Sequence, residues 1–131
     1  MKKIIIDLDG TLTVDSAVEY SEKPVNEKVL NACRKYKDMG FEIVISTSRN
    51  MRTFAGNVGK INVHTLPTII EWLEANEVPY DEVHVGKPWC GFDGFYVDDK
   101  AIRPSEFAEM SHEEIKAILE YENCFKDGGN K

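Results

Sequence analysis

A small set of carboxylates, one hydroxyl and one lysine recur in this chain at positions that point to a single chemistry. Asp7 and Asp9 stand one residue apart in Asp7-Leu8-Asp9-Gly10-Thr11-Leu12-Thr13, and Thr47, Lys87 and the pair Asp98-Asp99 follow in that order. In extended backbone, residues two apart point to the same side, so Asp7 and Asp9 converge if strand geometry persists into the loop. Two carboxylates that close repel each other and call for a cation between them or a shared proton. A hard divalent cation such as Mg²⁺ takes oxygen ligands, which carboxylates and a backbone carbonyl supply. A lysine and a hydroxyl complement the oxygens of a phosphoryl group, and a carboxylate is itself a possible phosphoryl acceptor. Taken alone, the Asp7–Thr13 loop is equally a solvated acidic turn. Taken with the later residues, the inventory is that of a Mg²⁺-assisted phosphoryl-transfer site, with Asp7 foremost by position.

The elements that must carry these residues follow from hydrophobic pattern. Ile4-Ile5-Ile6 reads as a short buried strand whose carboxyl-end loop holds Asp7 and Asp9. Val25 to Met39 has apolar residues at mostly helical spacing and ends at Gly40, a helix-stopping position. Phe41 to Ser46 is a second strand, followed by Thr47-Ser48-Arg49. Strand, helix, strand makes a βαβ unit, so the two strands are expected parallel with a right-handed crossover. Glu82 to Val85 reads as a third strand leading to Lys87, and Gly94 to Val97 as a fourth ending at Asp98-Asp99. In a parallel sheet all four carboxyl ends lie along one edge, which brings residues about 90 apart into one crevice.

The remaining segments are read as follows. Val14 to Lys23 is polar and irregular. Asn50 to His64, with Gly56, Gly59 and three asparagines, reads as a long loop, either a mobile surface connection or a substrate-facing flap. Thr65 is a candidate cap for a helix with Pro67 in its first turn and Trp72 at its edge. Arg103-Pro104-Ser105 reads as a turn. Ser111 and Glu114 form a capping box for a last helix that buries Ile115, Ile118 and Leu119. The tail 126–131, with Gly128-Gly129, is expected to be disordered, leaving residues 1–125 as a single domain.

Composition narrows the function classes. A net charge of −7 and a pI near 5.0 argue against a general nucleic-acid binder. No apolar run approaches the ~20 residues needed to span a bilayer, and the run after Lys2-Lys3 is too short for an export signal. Cys33, Cys90 and Cys124 are odd in number and widely spaced, which fits reduced thiols in a cytoplasmic protein better than a disulfide framework or a zinc site.

Asp7-Leu8-Asp9-Gly10-Thr11 after a hydrophobic strand resembles the DxDx[TV] signature of the haloacid dehalogenase superfamily. Thr47, Lys87 and Asp98-Asp99 resemble its second, third and fourth motifs, in the right order and each at an expected strand end. The resemblance spans residues 4 to 99. It implies an α/β, Rossmann-like doubly wound and mainly parallel sheet of order 3-2-1-4, in three layers and without a large cap domain. It also implies that Asp7 is the nucleophile and a Mg²⁺ ligand. Asp9 is then the acid and base, with its main-chain carbonyl on the metal. Thr47 and Lys87 hold phosphoryl oxygens, and Asp98 and Asp99 complete the metal site. Leu8, Gly10, Ser48 and Arg49 are the flanking candidates for substrate contact, Arg49 being either a phosphate clamp or a surface ion pair. Within the superfamily, the STxRN, NVGKIN and GKPWC stretches resemble small phosphatases of bacterial capsule and polysaccharide biosynthesis.

These readings converge on a phosphatase acting on a small phosphorylated metabolite through an aspartyl-phosphate. Water exclusion would come from loops, from the substrate, or from a neighbouring subunit completing an open site. A phosphomutase shares the nucleophile but usually needs a cap. A receiver-like phosphoacceptor module would carry its acidic pair before the Thr and Lys, not after. Only seven residues separate Lys87 from Phe95, fewer than the dozen or so that a helical crossover needs.

Overall fold

Three consecutive isoleucines make β1 (Lys3–Ile6), and a second β-branched run makes β2 (Glu42–Ser46), in a computed structural model that describes residues 2–126. The strands pair in parallel with Ile6 opposite Ile45. β3 (Glu82–His84) pairs in parallel on the far side of β2, with Ser46 opposite His84, so the sheet order is β1-β2-β3. Ile43 and Ile45 are fully buried, and burying each contributes about 2 kcal/mol. The expected parallel α/β architecture is present for the first three strands.

The chain packs as two compact units, Met1–Trp89 and Cys90–Lys131. In the first unit, α1 (Glu27–Asp38) packs on β2 and buries Val29, Leu30, Cys33 and Tyr36. The Asn26 side chain caps it by accepting from the Val29 N–H at 3.3 Å, and Gly40, at φ 94°, ends it as expected. The polar stretch before α1 is closed at its neck. Val14 N–H donates to the Pro24 carbonyl and Asn26 N–H to that of Leu12, at 2.9 and 2.7 Å.

The stretch after Arg49 departs from the expected loop. Residues 50–56 turn, and then α2 (Val58–His64) forms, capped by Asn57, whose Oδ1 accepts from Lys60 N–H at 3.1 Å. Ile61 anchors α2 with a fully buried side chain, which outweighs the cost of Gly59 in a helix. α3 (Leu66–Ala75) begins at once, Thr65 closing α2 and opening α3. Thr65 makes no side-chain cap bond, because its hydroxyl donates to Asn50 Oδ1 at 2.8 Å. Trp72 lies in the core rather than at the helix edge, its Nε1–H donating to the Lys23 carbonyl at 2.8 Å. Each strand-to-strand connection is thus of ordinary helical length, and the described residues hold no inserted cap.

In the second unit the expected fourth strand does not form. Residues 94–97 have no strand pairing, and every residue from 92 to 101 is exposed. The sheet order 3-2-1-4 is therefore corrected to its first three members among the described residues. The physical reason is that aromatic and β-branched residues favour strands only where neighbours cover them, and residues 94–97 are all exposed. Arg103-Pro104-Ser105 opens a short helix, α4 (Pro104–Glu109), instead of a turn. Arg103 N–H donates to Glu106 Oε1 at 2.7 Å, and Phe107 is buried beneath it. The capping box of α5 (His112–Lys126) is present, with Ser111 N–H on Glu114 Oε1 and Glu114 N–H on Ser111 Oγ. Ile115 is buried, while Ile118 and Leu119 are only half-buried. Lys126 belongs to α5, and the rest of the tail read as disordered lies outside the described residues.

Candidate active site

β1 delivers Asp7 to the carboxyl edge of the sheet, and the loop after it is shaped by the buried Leu8 and Leu12. The Leu8 carbonyl accepts from the N–H groups of Thr11, Leu12 and Thr13 at 3.3, 2.9 and 3.0 Å. That triple bond to one acceptor needs a sharp bend, which Gly10 supplies at φ 77°, a conformation that costs side-chain-bearing residues energy. Because Leu8 points into the core, the residues on either side of it face the other way. Asp7 and Asp9 thereby emerge together, as strand alternation requires.

Asp7 sits between a cation and a hydroxyl. Lys87 Nζ is 3.6 Å from its Oδ1, and Thr11 Oγ1 donates to its Oδ2 at 3.3 Å. Lys87 is brought there by backbone. Thr47 N–H donates to the His84 carbonyl at 2.9 Å, and Lys87 N–H to the Thr47 carbonyl at 3.1 Å. The sheet ladder thus continues past the strand ends and carries the lysine to the aspartate. Despite the connection to Phe95 being short, Lys87 stands beside Asp7. Burial pushes the Asp7 carboxyl above its ordinary range, against the pull of Lys87, the Leu8 N–H and Thr11. Nearby Asp9 raises it slightly further.

Asp9 has a partner of its own. Arg49 Nε donates to one oxygen at 2.9 Å and Nη2 to the other at 2.8 Å, a two-pronged charge-assisted pair. The Arg49 side chain is 1% exposed and that of Asp9 30%. Arg49 is therefore no surface ion pair. Its guanidinium carbon lies 4.1 Å from the centre of the Tyr20 ring, a cation–π contact, and its Nη1 is buried with no hydrogen-bond partner. The Thr47 hydroxyl, also buried, accepts from Arg49 N–H at 3.0 Å, so Thr47 fixes the backbone from which Arg49 departs.

The structure thus joins Asp7 with Lys87 and Asp9 with Arg49, and joins Thr47 to Arg49 through the backbone. Of the flanking candidates, Leu8 has its side chain in the core, leaving only its main chain to meet a ligand. Gly10 is exposed, with its N–H on Thr13 Oγ1 at 3.2 Å, and Ser48 is half-buried. Asp98 and Asp99 lie in the second unit with local partners. Asp98 Oδ1 accepts from Lys100 N–H at 2.9 Å, and Asp99 pairs with Lys126, which draws the Asp99 carboxyl below its ordinary range. Among the described residues no three His, Cys, Asp or Glu side chains cluster as a metal-ligand set. Thr11 and Tyr20 are the neighbours that sequence reading left out. Thr11 stands four residues after Asp7, a spacing that brings it back to the carboxylate only once the loop bends at Gly10. No local signal links Tyr20 to Arg49, 29 positions away.

A parallel α/β sheet presenting an aspartate, with a lysine at its side, on the edge of its first strand is the frame of a hydrolase family. The chain belongs to the haloacid dehalogenase-like hydrolases, whose family model matches residues 4–126. It is similar to a Vibrio cholerae protein of known crystal structure, with 61% identity and a TM-score of 0.91 over 93% of this chain and 99% of that one. A chain of the Pnkp1/Rnl/Hen1 complex is 20% identical with a TM-score of 0.49, over 84% of this chain and 35% of that one, and nothing here rests on that likeness. No curated protein matches the chain. No helix among the described residues is long and apolar enough to cross a membrane.

Proposed function

We propose that the protein is a Mg²⁺-dependent phosphomonoesterase that transfers the phosphoryl group of a small metabolite, such as a sugar phosphate or capsule precursor, to Asp7. The observation that carries this reading is the placement of Asp7 at the end of β1 with Lys87 Nζ 3.6 Å from its carboxylate, in a chain of this hydrolase family. Lys87 offsets charge on Asp7 as an anionic substrate approaches and is within reach of the incoming oxygens. Thr11 holds one Asp7 oxygen and leaves the other on the Lys87 side for attack. Asp9 donates a proton to the leaving alcohol and then takes one from the water that hydrolyses the aspartyl-phosphate. Both Asp9 oxygens accept from Arg49, so one prong of that pair opens when Asp9 works. Thr47 steadies the Arg49 backbone and turns its hydroxyl to the phosphoryl group in the same reading.

The donor set suits a hard cation. The Asp7 carboxylate and the Asp9 carbonyl supply oxygens at one strand end, and Asp98 and Asp99 are the proposed further ligands, on motif order. When bound, the cation supplies charge neutralisation for the transferring group. The test is hydrolysis of an aryl phosphate by the purified protein with Mg²⁺ and after chelation. Wild-type protein is expected to be active only with the ion, and Asp7→Asn to lose roughly 10³-fold or more. Activity that survives either change overturns the mechanism.

A further inference from the structure

Within the first unit, Arg49 is held from several directions. Its Nε and Nη2 donate to the two oxygens of Asp9 at 2.9 and 2.8 Å, and its backbone N–H donates to the Thr47 hydroxyl at 3.0 Å. The Tyr20 ring closes a further side, its centre 4.1 Å from the guanidinium carbon. Tyr20 is 39% exposed and the Arg49 side chain 1%, so the ring stands between the cation and water. Nη1 is buried without a hydrogen-bond partner. A buried, unpaired donor costs stability, and the electron-rich face of an aromatic ring offsets part of that cost. The Arg49 side chain therefore serves Asp9 and presents nothing to solvent.

Tyr20 does not sit on a loose loop. Residues 14–24 leave and return through a closed neck, with Val14 N–H on the Pro24 carbonyl at 2.9 Å, and Thr13 bridges to Val25. Tyr20–Glu22 form a 3-10 turn that packs against α3. The Trp72 Nε1–H, donating to the Lys23 carbonyl at 2.8 Å, pins the end of that turn to the core. The ring has a fixed station.

Asp9 needs such support. It stands beside Gly10, at φ 77°, and its side chain is 30% exposed. An acid works only within hydrogen-bond reach of the oxygen it protonates, and a misplacement of ~1 Å costs on the order of 10²-fold. Water admitted to Arg49 would screen the ion pair and compete for its donors. We propose that Tyr20 is a positioning residue for Asp9: by covering the Arg49 guanidinium it keeps Arg49 on the Asp9 carboxylate, and so fixes where Asp9 meets the leaving oxygen. This inference rests on the phosphatase reading.

The test compares two phosphate monoesters through kcat/KM, which reports the steps up to release of the alcohol and not the later attack of water. Nitrophenyl phosphate has a leaving group that departs without a proton, whereas that of a simple alkyl phosphate needs one. Tyr20→Ala is expected to lower kcat/KM about 10-fold or more for the alkyl ester and less than about 3-fold for the aryl ester. Tyr20→Phe, which keeps the ring, should restore both. The ratio of the two values does not depend on how much of a variant is folded, so a purely structural role leaves it unmoved. An unmoved ratio overturns the proposal. So does a steeper loss on the aryl ester, which would make Tyr20 a platform for the substrate ring, and so does a failure of Tyr20→Phe to restore the ratio. If Tyr20→Ala does not fold, Tyr20→Leu, which keeps apolar bulk without the ring, takes its place.

If wild-type protein hydrolyses neither ester, it is the phosphatase reading that fails. The link from Tyr20 to Asp9 is then decided by urea midpoints. The shifts from Tyr20→Ala and Asp9→Asn should be non-additive, and should become additive once Arg49→Met removes the connection. Additive shifts with Arg49 in place overturn the proposal.

Discussion

The end of β1 and the segment 92–101 carry the same chemistry, paired aspartates after an apolar run, and differ in everything beneath it. Under Asp7 and Asp9 lie Leu8 and Leu12, fully buried, and each carboxylate has its own cationic partner, Lys87 or Arg49. Asp98 and Asp99 instead sit in a run, 92–101, in which every residue is exposed, and their partners are a neighbouring amide and an exposed lysine at the end of α5. Similar motifs therefore have unequal preorganisation. A carboxylate pair is positioned only where the apolar residues between and around it have somewhere to go.

The contrast yields graded expectations. Replacing Asp98 and Asp99 together by asparagine should remove most Mg²⁺-dependent hydrolysis, yet leave the urea midpoint essentially where it is in wild type, because exposed groups contribute little to folding. A large loss of stability would show that the segment is held more firmly than its exposure indicates. Arg49→Met should do the reverse in balance, costing about 2–3 kcal/mol in the same titration, since Asp9 loses both bonds and Tyr20 its cation. Arg49→Lys should recover only part of that, lacking the two-pronged geometry.

A smaller effect should appear away from the site. Asp81 accepts from Lys37 Nζ at 2.7 Å and from Ile43 N–H at 2.8 Å, and these hold its carboxyl below the ordinary range. A depressed folded-state pKa stabilises above the unfolded value, near 3.9, and the gain fades as pH falls through the folded value. Because solvent screens this exposed pair, Asp81→Asn should cost no more than about 0.5 kcal/mol at pH 7 in thermal melts, with the gap to wild type closing below pH 4. The smallest change is chemical. Burial pushes the Cys33 thiol up to about 12, while Cys124 is exposed. A thiol reagent at neutral pH should label Cys124 and leave Cys33 until the protein unfolds.

Legibility from sequence followed the same divide. Ile4-Ile5-Ile6 and Ile43-Val44-Ile45 announced β1 and β2 because their partners were each other, and Gly40 marked the stop of α1. Gly94 to Val97 carried as strong a strand signal and formed none, because propensity counts only where a neighbour covers the side chains. α2 was hidden by Gly59 and its asparagines. Asn57 proved to be a cap and Ile61 an anchor, a pairing that single-residue preferences do not reveal. Asp7 and Lys87 were legible as strand-end residues. The role of Arg49 toward Asp9, and the ring of Tyr20 above it, depended on contacts 40 and 29 residues apart in the chain.

Thr65 ends α2 and begins α3 within a single residue, and its hydroxyl is tied back to Asn50, the neighbour of Arg49. A joint without spare residues has no pivot. The start of α3 is thereby tied through Asn50 to the backbone from which Arg49 departs.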